Sequence, residues 1–145
     1  MTTRKLGFSV LLAAVYARLT THPLTNTMKF RNYVKRTDTM PYHMIGRFVG
    51  KESDRFSTRD SEVEDNVFQV DSWYDKKSGL GDKACADAQT LIVQALTSSA
   101  LTITGYHNSI TFDLDYANIL TDDTEPEDPV WHGILRFRVE MAPNP

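Results

Sequence analysis

The stretch from Trp131 to Met141 reads WHGILRFRVEM, with mostly apolar residues at odd positions and mostly polar residues at even positions. A period of two places alternate side chains on opposite faces of a strand, so this stretch predicts a half-buried strand. The segment ITFDLDY at residues 110–116 alternates in the same way. Between them, the two prolines and five carboxylates of residues 120–129 predict an exposed connection that leaves the strand ladder. The carboxyl-terminal third is therefore predicted to be an antiparallel hairpin.

The position of the connection also predicts a register for this hairpin. A turn centred near Thr124 and Glu125 pairs Asp113 with Arg136 on the polar face, which favours a cross-strand ion pair over a catalytic pair with Asp115. A register shifted by two residues remains the alternative, because a register shifted by one would set aspartates against core phenylalanines. On the buried face the expected pairs are Phe112 with Phe137, Leu114 with Leu135, and Ile110 with Val139.

The amino-terminal segment carries two competing patterns. Arg4 and Lys5, followed by an uncharged run over 6–17, resemble the start of a secretory signal. The apolar residues nevertheless recur at helical spacing, and this pattern continues past Arg18 to a stop at residues 20–23. We therefore expect an amphipathic first helix.

The middle of the chain predicts three strands and a second helix. Runs rich in β-branched and aromatic residues at 30–36, 42–49 and 67–74 are separated by polar breakers, and residues 81–97 have helical spacing. A chain of 145 residues with 41% apolar residues is long enough to bury one core. The sequence predicts a single domain over residues 1–145 with an α+β fold, in which a mostly antiparallel sheet of about five to six strands packs with two helices.

The segment at about 50–62 contains one aromatic and no aliphatic residue. It lacks the apolar contacts that would offset the entropy cost of ordering a chain, so it predicts a long mobile loop. We expect this loop to become ordered on a partner, with Arg55, Phe56 and Arg59 as its anchors.

Charge is divided unevenly along the chain. Residues 1–59 carry 11 Lys+Arg against 3 Asp+Glu, and residues 60–145 carry 5 against 16, for a net charge of -3. The two halves can mix on the surface, or they can form a basic and an acidic face suited to head-to-tail association of identical subunits. The net charge argues against non-specific nucleic-acid binding by the whole surface.

The sequence offers no residues suited to catalysis or metal binding. The four histidines are scattered without metal-ligand spacing, and the acidic residues of the connection lack the twelve-residue calcium pattern. Cys85 lies in the apolar stripe of the second helix, where a core role is expected. We therefore expect no enzyme activity, no catalytic residue, no metal and no cofactor.

Four segments, read in order, carry a resemblance to a known family. They are LLAAVYARL at 11–19, PYHMIG at 41–46, FQVDSW at 68–73 and WHGILRFR at 131–138. In order and spacing, over about residues 11–141, they resemble the tail completion family of long-tailed bacteriophages, also called the tail terminator or head-tail joining family.

The resemblance implies a structural virion protein that forms a ring, usually of six subunits. Such a ring terminates the tail tube and joins the tail to the head. Its implied partners are further copies of itself, the tail tube protein and the head completion or neck protein. Phage DNA would pass through the channel without sequence-specific binding, and no membrane is involved. The implied location is the head-tail junction of the virion, assembled in the host cytoplasm.

The charge pattern and the resemblance together indicate candidate interface residues. We expect basic residues of the first half to face acidic residues of the second half across the ring contact, or alternatively to line the DNA channel. The candidates are Arg31, Lys35, Arg36, Arg47, Arg55, Phe56, Arg59, Asp122, Asp123, Glu125, Glu127 and Asp128.

A small monomeric α+β domain that binds a ligand or catalyses a reaction is the alternative interpretation. Its pocket would lie between the helices and the sheet. A native mass measurement separates the two interpretations, because only the first requires association.

Overall fold

Two helices and six strands lie within the residues that the computed structural model describes, which are 8–33, 38–46, 50–52, 64–76, 81–106, 111–124 and 127–142. This set of helices and strands confirms the predicted α+β fold. In chain order the elements are α1 Phe8–Thr21, β1 Phe30–Arg31, β2 Tyr42–Ile45, β3 Gly50–Glu52, β4 Glu64–Asp75, α2 Asp82–Thr97, β5 Phe112–Asp122 and β6 Val130–Met141.

The strands form one sheet in the order β1-β2-β4-β6-β5, with β3 also paired to β4. Every pairing is antiparallel except β1 with β2, which is parallel. β4 and β6 form the centre, since they pair over their full lengths from Glu64–Met141 to Asp75–Val130. β2 and β3 therefore share the edge of β4 that β6 leaves open, and β1 and β5 lie at the two ends of the sheet.

Both helices pack on one face of the sheet, which we call the helix face. α1 supplies Leu11, Val15 and Leu19 to the same core cluster as Phe68 of β4 and Phe137 of β6. The rings of Phe68 and Phe137 stack with centroids 5.2 Å apart. Of the apolar residues at helical spacing in α1, Leu11, Val15 and Leu19 are buried as expected, whereas Val10 is 39% exposed. Burying such side chains contributes about 1.5–3 kcal/mol each, so this cluster is the main source of stability.

The hairpin register differs from the expected one by two residues. Phe112 pairs with Val139 and Leu114 with Phe137, and Asp113 lies opposite Arg138 rather than Arg136. A shift by two keeps each side chain on its expected face. A bulge between Leu114 and Tyr116 then moves the pairing by one more residue.

β5 is also longer and more exposed than the sequence indicates. It continues through Leu120–Asp122, which pair with β6 from His132 to Val130, so the exposed connection begins later than residue 120. Phe112 is the buried residue of the strand, whereas Leu114 is 45% exposed. The expectation of a half-buried strand was wrong here, because β5 is an end strand and its outer side faces no other described strand.

The segment expected to be a loop at 50–62 begins with a strand. Gly50–Glu52 form β3 and pair with Asp65–Val67 of β4, so these three residues are a correction to the loop boundary. A few polar residues are held in place here because the ladder with β4 supplies their hydrogen bonds. Residues 53–63 lie outside the described part of the chain, as do 34–37 and 47–49 of the two strands expected upstream.

Candidate assembly surface

One end of the sheet presents a basic and aromatic edge. The exposed side chains of Lys29 and Arg31 flank β1, and Tyr33 just beyond it is 64% exposed. Arg31 Nη1 donates to the Phe30 carbonyl at 3.1 Å, and its Nε lies 3.8 Å from Asp38 Oδ1. Beside this edge is a cleft of about 310 Å³, lined by Tyr16, Phe30, Arg31, Asn32, Tyr33 and Asp38. Tyrosine and arginine are enriched in protein interfaces, so this composition favours a protein partner.

The opposite end of the sheet presents an acidic and apolar edge. Along β5, Leu114, Tyr116 and Leu120 are 45%, 39% and 47% exposed. No Lys or Arg occurs between Lys83 and Arg136. The carboxylates along and after β5 are Asp113, Asp115, Asp122, Asp123, Glu125, Glu127 and Asp128.

The turn after β5 holds its described carboxylates at the surface. Asp122, Asp123, Glu127 and Asp128 are exposed. Hydrogen bonds from the side chain and backbone N–H of Thr124 lower the pKa of the Asp122 carboxyl. The lowered pKa favours the charged form of Asp122, so this carboxylate supplies negative charge at the end of the sheet where the sequence predicts an acidic contact.

The remaining predicted interface residues lie outside the described part of the chain. These are Lys35, Arg36, Arg47, Arg55, Phe56, Arg59 and Glu125. Among the described candidates, Arg31 and the acidic residues after β5 lie at opposite ends of the sheet, so they do not meet within one subunit.

The face of the sheet away from the helices carries a polar network that sequence reasoning missed. Asp71 is fully buried, and its Oδ1 accepts hydrogen bonds from Gln69 Nε2 at 2.8 Å and His132 Nε2 at 2.6 Å. His132 stacks on Trp73 with ring centroids 3.8 Å apart. Arg136 Nε donates to Gln69 Oε1 at 3.0 Å. The network joins β4 and β6, so it stabilises the centre of the sheet.

Alternation along both strands was the one signal for this network. Gln69, Asp71 and Trp73 occupy one face of β4, and His132 and Arg136 occupy the same face of β6. The alternation of residues 131–141 predicts that His132 lies on the polar face of the last strand. The structure puts it on the side away from the helices, but holds it against Asp71, 61 positions away in sequence.

Two buried titratable side chains are held in their uncharged forms at neutral pH. Cys85 is fully buried under Gly133, and burial raises the pKa of its thiol to about 11, so it is not a ready nucleophile. His43 is 1% exposed and bonds Ser72 Oγ at 2.7 Å, and burial lowers its pKa to about 4. Within the described ranges, no group of three or more His, Cys, Asp or Glu could hold a metal ion.

Neither helix in the described part of the chain has the length and apolar content needed to cross a membrane.

Comparison with known proteins yields a family and a shared fold. A family model described as tail completion protein gp17 matches residues 12–141. Among solved structures, the chain is similar to one in the virion of a native gene transfer agent particle. The TM-score is 0.70 at 16% identity, covering 92% of this chain and 96% of the other. At that identity the likeness shows a common fold. No curated protein matched the chain.

Proposed function

Because the chain belongs to the tail completion protein gp17 family and is a structural virion protein, we propose that its copies form a ring that ends the tail tube. The ring, of six subunits, also joins the tail to the head. Its partners are the tail tube protein on one side and the head completion or neck protein on the other. It sits at the head-tail junction of a particle assembled in the host cytoplasm. DNA passes through its channel without sequence-specific binding.

The observation that carries this proposal is the family match over residues 12–141, nearly the whole chain. The placement of charge supports a ring. Lys29 and Arg31 lie at the β1 end of the sheet, and Asp113, Asp115, Asp122 and Asp123 lie at the β5 end, so the two ends differ in charge although Arg136 and Arg138 of β6 pair with β5. A subunit with unlike ends can associate head-to-tail, which is how rings are built.

Deleting the gene for this chain from the genome that encodes the particle tests the proposal. Without a terminating ring, tail tubes should lose their uniform length, and DNA-filled heads should accumulate without tails. Electron microscopy of lysates measures both effects. Supplying the wild-type chain should restore whole particles, and so should a variant with the exposed helix substitution Gln94→Glu.

Two results would contradict the proposed function. One is a deletion that yields normal numbers of joined particles with tubes of normal length. The other is a purified chain that stays monomeric at every concentration and binds a small metabolite, which would support the alternative of a ligand-binding or catalytic domain.

A further inference from the structure

We infer that the outer edge of β5 docks onto the β1 edge of a second copy, so that the sheets of neighbouring subunits meet end to end. This inference rests on the proposed ring and names the surfaces that form it. It concerns the acidic, apolar edge strand Phe112–Asp122 and the basic segment Lys29–Tyr33.

The β5 edge has the features of a strand that accepts another strand. It is 11 residues long, and half of its backbone N–H and C=O groups point away from β6, toward the side on which no described strand lies. Leu114, Tyr116 and Leu120 are large apolar side chains exposed along it. A long edge with exposed apolar residues is a pairing surface unless it is protected.

The charged residues that protect the β5 edge also determine which kind of strand can pair with it. Asp113, Asp115 and Asp122 place negative charge along the edge, and like charges facing each other are destabilising. Two β5 strands pairing antiparallel would bring together two edges that each carry these three carboxylates and no Lys or Arg, and pairing about Asn118 would set Asp113 against Asp123. A symmetric β5-to-β5 dimer is therefore disfavoured, whereas a basic strand is attracted.

The β1 edge of this same chain has the complementary chemistry. Residues 29–47 carry five Lys+Arg against one Asp. Of these, Lys29 and Arg31 are exposed beside β1, at the end of the sheet farthest from β5. The cleft of about 310 Å³ beside β1 is lined by both aromatic and charged side chains, including Phe30 and Arg31, and lies where a side chain of the docked edge would enter it.

The pairing of unlike ends has a consequence for assembly. Each copy contributes its β5 edge to one neighbour and its β1 edge to the other, so the contact is heterologous. It repeats from subunit to subunit until the ring closes. Because unlike charges face each other, the contact also fixes the direction in which subunits follow one another.

A charge-exchange experiment on the full chain tests this contact. One variant, Asp115→Lys with Asp122→Lys, leaves Asp113 as the remaining carboxylate of Phe112–Asp122 and makes the β5 edge net positive. A second, Lys29→Glu with Arg31→Glu, makes the β1 edge acidic. In native mass measurements each should shift from the ring to the 16.5 kDa subunit. The chain carrying all four substitutions should recover the ring, because every contact again joins unlike charges.

Matched controls keep the charge change but move it to exposed positions away from both edges. Asp82→Lys with Asp87→Lys matches the first variant in charge change, and Lys76→Glu with Lys83→Glu matches the second. Both should form rings. Circular dichroism confirms that each subunit is folded, and recovery by the fourfold variant is a further proof of folding.

The outcomes separate this inference from the proposed function. A ring formed by either edge variant, or a fourfold variant that stays dissociated, overturns the β5-to-β1 contact while leaving a wild-type ring in place. If the wild-type chain remains a monomer and the particles also contain no such ring, the proposed function itself is overturned.

Discussion

His43 is the residue whose burial most directly makes stability depend on pH. It is enclosed by Phe30, Tyr74 and Ser72, and burial lowers its pKa from 6.5 to about 4. The unfolded chain therefore binds this proton at a higher pH than the folded chain. The stabilising contribution is complete above pH 6.5 and is lost as the pH falls toward 4. At about 1.4 kcal/mol per pKa unit, the loss is about 3 kcal/mol.

Unfolding by urea at pH 7 and pH 4.5 measures this effect against His43→Gln, which cannot titrate. The variant should be less stable at pH 7, and the difference from wild type should shrink as the pH falls. Parallel pH dependences of the two proteins would contradict the assignment to His43.

His132 and Asp113 lie on the same hairpin but should differ sharply in their contribution to stability. His132→Ala removes a donor 2.6 Å from the buried Asp71 carboxylate, whose Oδ2 has no hydrogen-bond partner among the described residues. Gln69 Nε2 remains as the second donor to Oδ1, so the loss is that of one hydrogen bond to a buried group, about 1–3 kcal/mol. Asp113 is exposed opposite Arg138, so Asp113→Ala should cost only about 0.2–1 kcal/mol.

Urea denaturation of the two variants provides the comparison, and native mass should show that Asp113→Ala still associates. Equal losses of stability would contradict the structural ranking. If Asp113→Ala instead abolished a catalytic activity of the purified protein, the strand carboxylates would have to be reinterpreted as an active site.

At the scale of elements, the contact between α2 and β6 depends on Gly133. A Cβ at this position would lie 2.7 Å from both Cys85 Sγ and Gln89 Nε2. Gln89 also donates to the Asn118 carbonyl at 3.1 Å, which ties α2 to β5. Gly133→Ala should therefore force the helix and the sheet apart, and overpacking of this kind costs about 1–3 kcal/mol.

Thermal unfolding of Gly133→Ala, Cys85→Ala and the double variant measures this contact. The double variant should regain part of the loss because the Sγ atom is gone, so the two changes should not be additive. Strict additivity would indicate that the glycine is required for another reason.

At the scale of the whole molecule, the separation of charge predicts assembly that is sensitive to salt. The Debye length is about 10 Å at 0.1 M salt and about 3 Å at 1 M, so high salt should weaken the ring contact. Reversal of Lys35 and Arg36 to glutamate should weaken it further at low salt, because these residues continue the basic segment after Arg31.

Sedimentation across a salt series, with the subunit fold followed by circular dichroism, measures both effects. A Lys35→Glu, Arg36→Glu chain that assembles normally at low and high salt would contradict the contact. If such a chain also impaired genome passage, these side chains would belong to the channel.

Features that depend on neighbouring residues along the chain were predictable from the amino-acid sequence. The helical spacing of α1 and α2 and the alternation of β6 each predicted an element and its buried residues, because a helix or strand places its side chains with a fixed period. Burial of Leu11, Val15 and Leu19, and of Cys85, confirms this. The family resemblance was likewise readable from segment order, and the family match over residues 12–141 confirms it.

Features that depend on which strands lie next to each other could not be predicted from the sequence and required the folded structure. Alternation in β5 indicated two faces, but a face is buried only where something packs on it, and β5 lies at the end of the sheet. The bulge near Asp115, the ladder that orders β3, and the pairing of Asp71 with His132 all require contacts between distant segments. Such contacts leave no periodic signal within one segment, so they emerge only when the sheet is assembled.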